Sequence, residues 1–225
     1  MRTLLLLGLA AAACGGNPCG SEPPPPDLPA GHVLLDPDAP EINRTPPDTF
    51  DVVMETSAGT VRVRIRRDWA PLGATRFYNL ASHGFYDGAR FFRVLPGFAA
   101  QFGMSGRPVV DSIWAGRPLP DEPARVRTDA GTLSYAMAGP DTRTTQLFFS
   151  YRGNEMLDAQ GFAPIGRVVD GMEVLFRLYS GYGEVAPEGG GPSFGCIASH
   201  GNGYLADRFP QLDSIQQVEV VSPAP

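Results

Sequence analysis

Apolar and charged residues alternate most clearly between Val61 and Arg66, where Val61, Val63 and Ile65 interleave with Arg62, Arg64 and Arg66. A two-residue period sends successive side chains to opposite faces, so this run predicts a strand with one buried face. The segment Asp51 to Ser57 before it is rich in β-formers, and Ala58-Gly59 supplies a turn, so the two runs predict a hairpin. The period then changes. Phe77, Leu80 and Ala81 share one face at helical spacing, with Asp68 as a candidate cap, Pro71 suited to the first turn and Gly84 as a left-handed stop.

Further apolar pieces at 91–95, 98–102, 131–138, 146–151, 162–169 and 215–221 predict short strands. A second helix is predicted over 171–179, where Val174, Leu175 and Leu178 fall on one side, and a short one over 204–212. Residues 104–130 read as loop, and 181–195 as a mobile Gly-rich loop. Eight strand-like runs with two clear helices predict a mainly β fold, a closed antiparallel eight-stranded β-barrel capped by two helices.

The N-terminus follows a different logic. Met1-Arg2, an apolar stretch through Leu9 and the small residues Ala10 to Ala13 form an export signal too short to span a bilayer. Residues 1–13 are therefore assigned as signal peptide, followed by a Pro-rich linker at 14–47, a folded domain at 48–182, and a Gly-rich loop with C-terminal extension at 183–225. The prolines Pro23 to Pro26 make the linker extended and semi-rigid, suited to lifting a domain off a surface.

Leu-Ala-Ala-Ala-Ala-Cys, ending at Cys14, resembles a bacterial lipobox. The resemblance implies lipidation of Cys14, export to the periplasm and an anchor in the outer membrane. Ordinary cleavage near Ala13, leaving a soluble secreted chain, is the alternative. Export implies an oxidising compartment. With Cys14 set aside, Cys19 and Cys196 remain, either paired or as two free thiols.

Charge and composition narrow the chemistry. The net charge is −6 with no Lys/Arg-rich run, which argues against a nucleic-acid partner. His32, His83 and His200 lie far apart and lack metal-ligand spacing, so no metal is expected. There is no G-x-S-x-G elbow, and the Gly189–Gly191 run lacks the lysine of a phosphate loop.

The informative stretch is Phe91-Phe92-Arg93-Val94-Leu95-Pro96-Gly97-Phe98-Ala99-Ala100-Gln101-Phe102-Gly103. It resembles the cyclophilin signature Phe-x-Arg-Val-x-x-x-Phe-x-x-Gln-x-Gly. Gly131 to Pro140 with Gln146-Leu147-Phe148, and Leu157-Asp158 with Phe162 to Gly166, resemble two further family motifs, the last in its bacterial form. The resemblance covers about residues 50 to 182 and implies a cyclophilin-like barrel and peptidyl-prolyl cis-trans isomerase activity. It assigns Arg93, Phe98 and Gln101 to catalysis. It assigns Ala99, Ala136, Met137, Gln146, Phe148, Met156, Leu157 and Phe162 to substrate binding. Proline-containing polypeptides are the implied substrates, and no cofactor is implied. Departures include Phe92 for a His, Ala99 for a Met, Met137 for an Asn, Leu147 for a Phe, Met156 for a Trp and Phe162 for a His.

These residue types fit that chemistry. The bond before proline is a partial double bond with a rotation barrier of about 18–20 kcal/mol. Twisting it leaves the prolyl nitrogen with a lone pair that can accept a hydrogen bond. A fixed cationic donor binds that twisted state better than the planar ones, which is catalysis by differential binding. Arginine is always charged and presents several donors on a rigid fork. Two rival roles remain open: a module that only binds Pro-containing segments, and a tethered assembly factor that docks a partner through its C-terminal segment.

Overall fold

The computed structural model describes residues 19–20 and 28–222. The expected signal peptide and the expected lipidation site, Cys14, lie outside the described residues. Strands β1 (Thr49–Thr56) and β2 (Gly59–Arg66) form the expected hairpin. Its register sets Phe50 opposite Ile65, Val52 opposite Val63 and Met54 opposite Val61, and all six side chains are buried. Each contributes roughly 1.5–3 kcal/mol relative to exposure, so a one-residue slip is strongly disfavoured.

Helix α1 (Pro71–Ser82) buries Phe77, Leu80 and Ala81, as its periodicity predicts. Its cap differs from expectation. Asp68 faces Arg66 instead, and the helix begins after Ala70, which makes no side-chain cap. The carboxylate of Glu122 takes the cap role from afar, accepting from Leu72 N at 2.7 Å and Gly73 N at 3.0 Å.

The remaining strands are β3 (Arg93–Leu95), β4 (Ala99–Phe102), β5 (Thr132–Tyr135), β6 (Leu147–Ser150), β7 (Pro164–Asp170) and β8 (Ile215–Val221). They join the hairpin in one antiparallel sheet of order β3-β4-β6-β5-β7-β2-β1-β8. The sheet curls, but the expected closed barrel is not what its ladder forms. Edge strands β3 and β8 do not pair along their length. They are bridged just upstream, where Gly88 N donates to Ile215 O, Ile215 N to Ala89 O and Phe91 N to Asp213 O. The cap of two helices is also exceeded. Besides α1 and the expected second helix there are α2 (Pro108–Ala115), α3 (Glu155–Ala159) and α5 (Phe194–Arg208), with α4 (Met172–Arg177) as that second helix.

Two boundaries are corrected. Residues 28–47 do not behave as a free linker: Val33–Leu35 and Pro40–Ile42 are short 3-10 helices whose Leu34 and Ile42 are buried in the core. Trp114 Nε1 donates to Leu34 O at 2.9 Å, and Asn79 on α1 brackets Arg44 through two backbone bonds. Residues 183–222 are not an appendage either. β8 completes the sheet beside β1, α5 packs on α2, and Cys196 is joined to Cys19 in a disulfide.

Alternation along β3, β4 and β6 divides core from site. Val94, Ala100, Phe102, Leu147 and Phe149 point inward, where Phe102 contacts Tyr86, Phe91 and Phe149 at ring distances of 5.3–5.9 Å. The residues between them, Arg93, Ala99, Gln101 and Phe148, face the other way.

Candidate active site

That other face lines an open cavity of about 460 Å³. The hairpin of β3 and β4 sets Arg93 directly opposite Gln101, and the pairing of β4 with β6 sets Gln101 opposite Phe148. Between β3 and β4 a tight turn, closed by Phe98 N donating to Leu95 O at 3.0 Å, presents the Phe98 ring beside the arginine. The Arg93 guanidinium carbon lies 5.6 Å from the centre of that ring, within reach of a cation–π attraction.

A polar chain crosses the cavity. Arg93 Nη1 donates to Gln101 Oε1 at 3.3 Å, and Gln101 Nε2 donates to Gln146 Oε1 at 3.0 Å. The direction is forced. A guanidinium only donates, so the oxygen of Gln101 faces it, the amide nitrogen faces Gln146, and Gln146 must accept. Gly103, which follows β4, permits the approach of the Gln146 segment: a side-chain carbon there would meet Thr145 O at 2.5 Å, and its φ is +104°.

The apolar part is a small cluster of its own. Ala99, Phe148 and Leu157 are buried, with Phe98, Ala136 and Phe162 packed against them. Phe148 and Phe162 meet edge-on at 5.7 Å. Leu157 is placed by α3, whose first turn is capped by Asn154. Phe162 N returns to Leu157 O at 3.2 Å, which locks the loop after α3 against it. Ala136 N donates to Gln146 O at 2.9 Å, which fixes that edge of the cavity, and Met137 follows along the same wall.

Ten of the eleven residues singled out for catalysis or substrate binding thus border this one cavity. Met156 does not. Its side chain is on the exposed side of α3, with 59% of its surface free, because Leu157 takes the inward position on that helix.

The cavity also holds residues that sequence reasoning passed over: Thr142, Thr144, Glu184, Val185 and Phe194. The most consequential is Glu184. Its carboxylate takes two hydrogen bonds from Arg93, Oε1 from Nε at 2.5 Å and Oε2 from Nη2 at 2.7 Å. Those bonds hold the Glu184 carboxyl below its usual range, against the opposing push of partial burial, and the Val185 N–H adds to the effect. Nothing in the local sequence marks Glu184. It lies 91 residues from Arg93 and reaches it only through the folded path of the chain.

Residues 51–188 match the family described as cyclophilin type peptidyl-prolyl cis-trans isomerase/CLD. The chain is 36% identical over 131 residues to "Peptidyl-prolyl cis-trans isomerase-like 1" of Rhizopus delemar, covering 57% of this chain and 79% of that one. It is 30% identical over 133 residues to "Peptidyl-prolyl cis-trans isomerase" of the bacterium Acinetobacter baylyi, covering 56% and 70%. Its fold is similar to the crystal structure of a cyclophilin type peptidyl-prolyl cis-trans isomerase from Cryptosporidium parvum, with a TM-score of 0.58 at 21% identity, covering 78% of this chain and 99% of that one. The match spans more than half of the chain and takes in β2 to β7 and all but the first two residues of β1, so this protein belongs to the cyclophilin-type peptidyl-prolyl cis-trans isomerase family.

Proposed function

We propose that the chain isomerises X-Pro bonds without covalent chemistry, with Arg93 stabilising the twisted amide. In this reading the proline ring enters the socket of Phe98, Ala99, Phe148, Leu157 and Phe162. Arg93 then directs a cationic N–H at the prolyl nitrogen as the amide leaves planarity. Gln101 fixes the arginine from one side, and the Ala136–Met137 edge with Gln146 holds the residue before proline. The observation that carries the reading is the placement of a guanidinium at the rim of an apolar hollow, over the Phe98 ring.

An exported folding factor of bacterial type is the setting we infer. The N-terminal signal pattern supports it, and so does the Cys19–Cys196 disulfide, a bond that persists in oxidising compartments. A lipid on Cys14 would then hold the domain close to the membrane rather than lift it away. The residues from Cys14 to Cys19 reach about 18 Å at full extension.

The test is exchange NMR on an Ala-Pro model peptide with the wild-type chain and Arg93→Ala. The wild type should interconvert the two isomers, and the variant should be slower by a factor of roughly 10²–10³. Equal turnover in both would reject the arginine assignment. Saturable peptide binding without exchange in the wild type would favour a module that only binds.

A further inference from the structure

We infer that Glu184 is a positioning residue for Arg93, aiming its guanidinium fork into the cavity from the far end of the chain. This rests on the assignment of the twisted amide to Arg93.

The geometry of the fork is the first argument. Glu184 occupies the edge made by Nε and Nη2, and Gln101 accepts from Nη1. Three of the guanidinium's five hydrogens are thereby committed, and two on the terminal nitrogens are left for a ligand. A planar group held at both sides has its plane fixed, whereas an arginine on a flexible stem would lose that orientation each time it turned. The four side chains lie in series, Gln146 to Gln101 to Arg93 to Glu184, so the arginine is braced from both directions.

The second argument is how the loop around Glu184 is built. Its carbonyl oxygen accepts from Gly191 N at 2.8 Å, and Gly189 N donates to Val185 O at 2.9 Å. Side-chain carbons at Gly189 or Gly191 would meet that carbonyl oxygen at 2.5 and 2.6 Å, so the glycine run is what lets the chain wrap this residue. The expected mobile loop is therefore a bracket. Val185 next to it is buried with Phe92, Met104, Ile197 and Cys196, the α5 half of the disulfide. Glu184 is thus backed by packed structure on one side and faces the arginine on the other.

The experiment compares wild type, Glu184→Ala, Glu184→Gln and Arg93→Ala in the same isomerisation assay, with the Arg93 Nε–H resonance followed by NMR in the wild type and in Glu184→Ala. The expected result is a fall in kcat of about tenfold for Glu184→Ala with KM within about twofold, because the socket that binds proline is untouched. Glu184→Gln, which keeps one acceptor, should fall between. In the wild type the Arg93 Nε–H should exchange slowly with water, and in Glu184→Ala it should not. A kcat that is unchanged or raised in Glu184→Ala would overturn the inference, as would rapid exchange of that proton in the wild type. If Arg93→Ala also keeps full turnover, the failure belongs to the arginine assignment; if Arg93→Ala is slow and Glu184→Ala is not, only the positioning role falls.

Discussion

Gln101 hands its side-chain N–H to Gln146 at 3.0 Å, and that bond is what keeps its oxygen turned toward Arg93. Gln101 is 8% exposed as a residue, and both ends of its amide find partners within the protein. Replacing Gln101 by Ala removes one brace from the guanidinium and leaves Gln146 Oε1 without its donor. A hydrogen bond to a charged group contributes about 1.5–3 kcal/mol, so turnover of the Gln101→Ala variant should fall by at least about tenfold. Line-shape analysis of the model peptide checks this; full activity in the variant would show that Arg93 needs no brace on that side.

Glu122 does two jobs at once. It caps α1 through Leu72 N and Gly73 N, and Arg143, 1% exposed, donates to its Oε2 from Nη1 at 3.2 Å. Removing the carboxylate uncaps a helix and takes the nearer of the two carboxylates that face the buried guanidinium, leaving it Asp121 at 3.7 Å and the Pro120 carbonyl. Breaking one side of a buried pair costs about 3–5 kcal/mol. Because those partners remain, Glu122→Ala should lower the unfolding free energy in urea titration by about 3 kcal/mol, the low end of that range, and a loss below about 1 kcal/mol would mean that Asp121 and the Pro120 carbonyl suffice for Arg143.

Asp111 gives a pH prediction. It sits in the first turn of α2, accepting from Ser105 N at 2.7 Å and Gly106 N at 3.2 Å. Burial pushes its carboxyl up from 3.8 to about 6, outweighing those two bonds. Between those values the folded chain holds a proton that the unfolded chain has released. Stability from this group is therefore greatest near pH 4 and falls as pH rises to about 6, by about 3 kcal/mol in all. Asp111→Asn lacks that slope. The stability difference between wild type and variant, followed by denaturant titration from pH 4 to 7, should move against the wild type as pH rises; a constant difference would refute the shift.

The strand pattern was legible where one face is buried and the period is short. Val61 to Arg66 announces itself, and so does the spacing of Arg93, Phe98 and Gln101, because a three-residue strand, a turn and a second strand suffice to bring them together. What escaped were contacts made across long chain distances. Glu184 meets Arg93 and Glu122 caps α1 with no local signal to mark either. Helix α2 lies where the sequence predicts loop, although Val110 and Trp114 share a face, because only one turn of pattern is visible between Arg107 and Gly116. Of helix α5 only the end overlaps the short helix expected over 204–212, because glycines mask the rest: it bends at Gly201, and its hold comes from packing with Cys196, Ile197 and Leu205 buried, not from propensity. The Pro-rich segment misled for the opposite reason. Its prolines suggest an extended tether, yet Leu34 and Ile42 are enough to seat it.

The Cys19–Cys196 bond makes a closed covalent hoop of residues 19 to 196. Seven of the eight strands lie within the hoop, and only β8 lies beyond it. A protease that severs a single peptide link anywhere inside it would release nothing: the two pieces would stay joined and migrate as one species until a thiol reductant parted them.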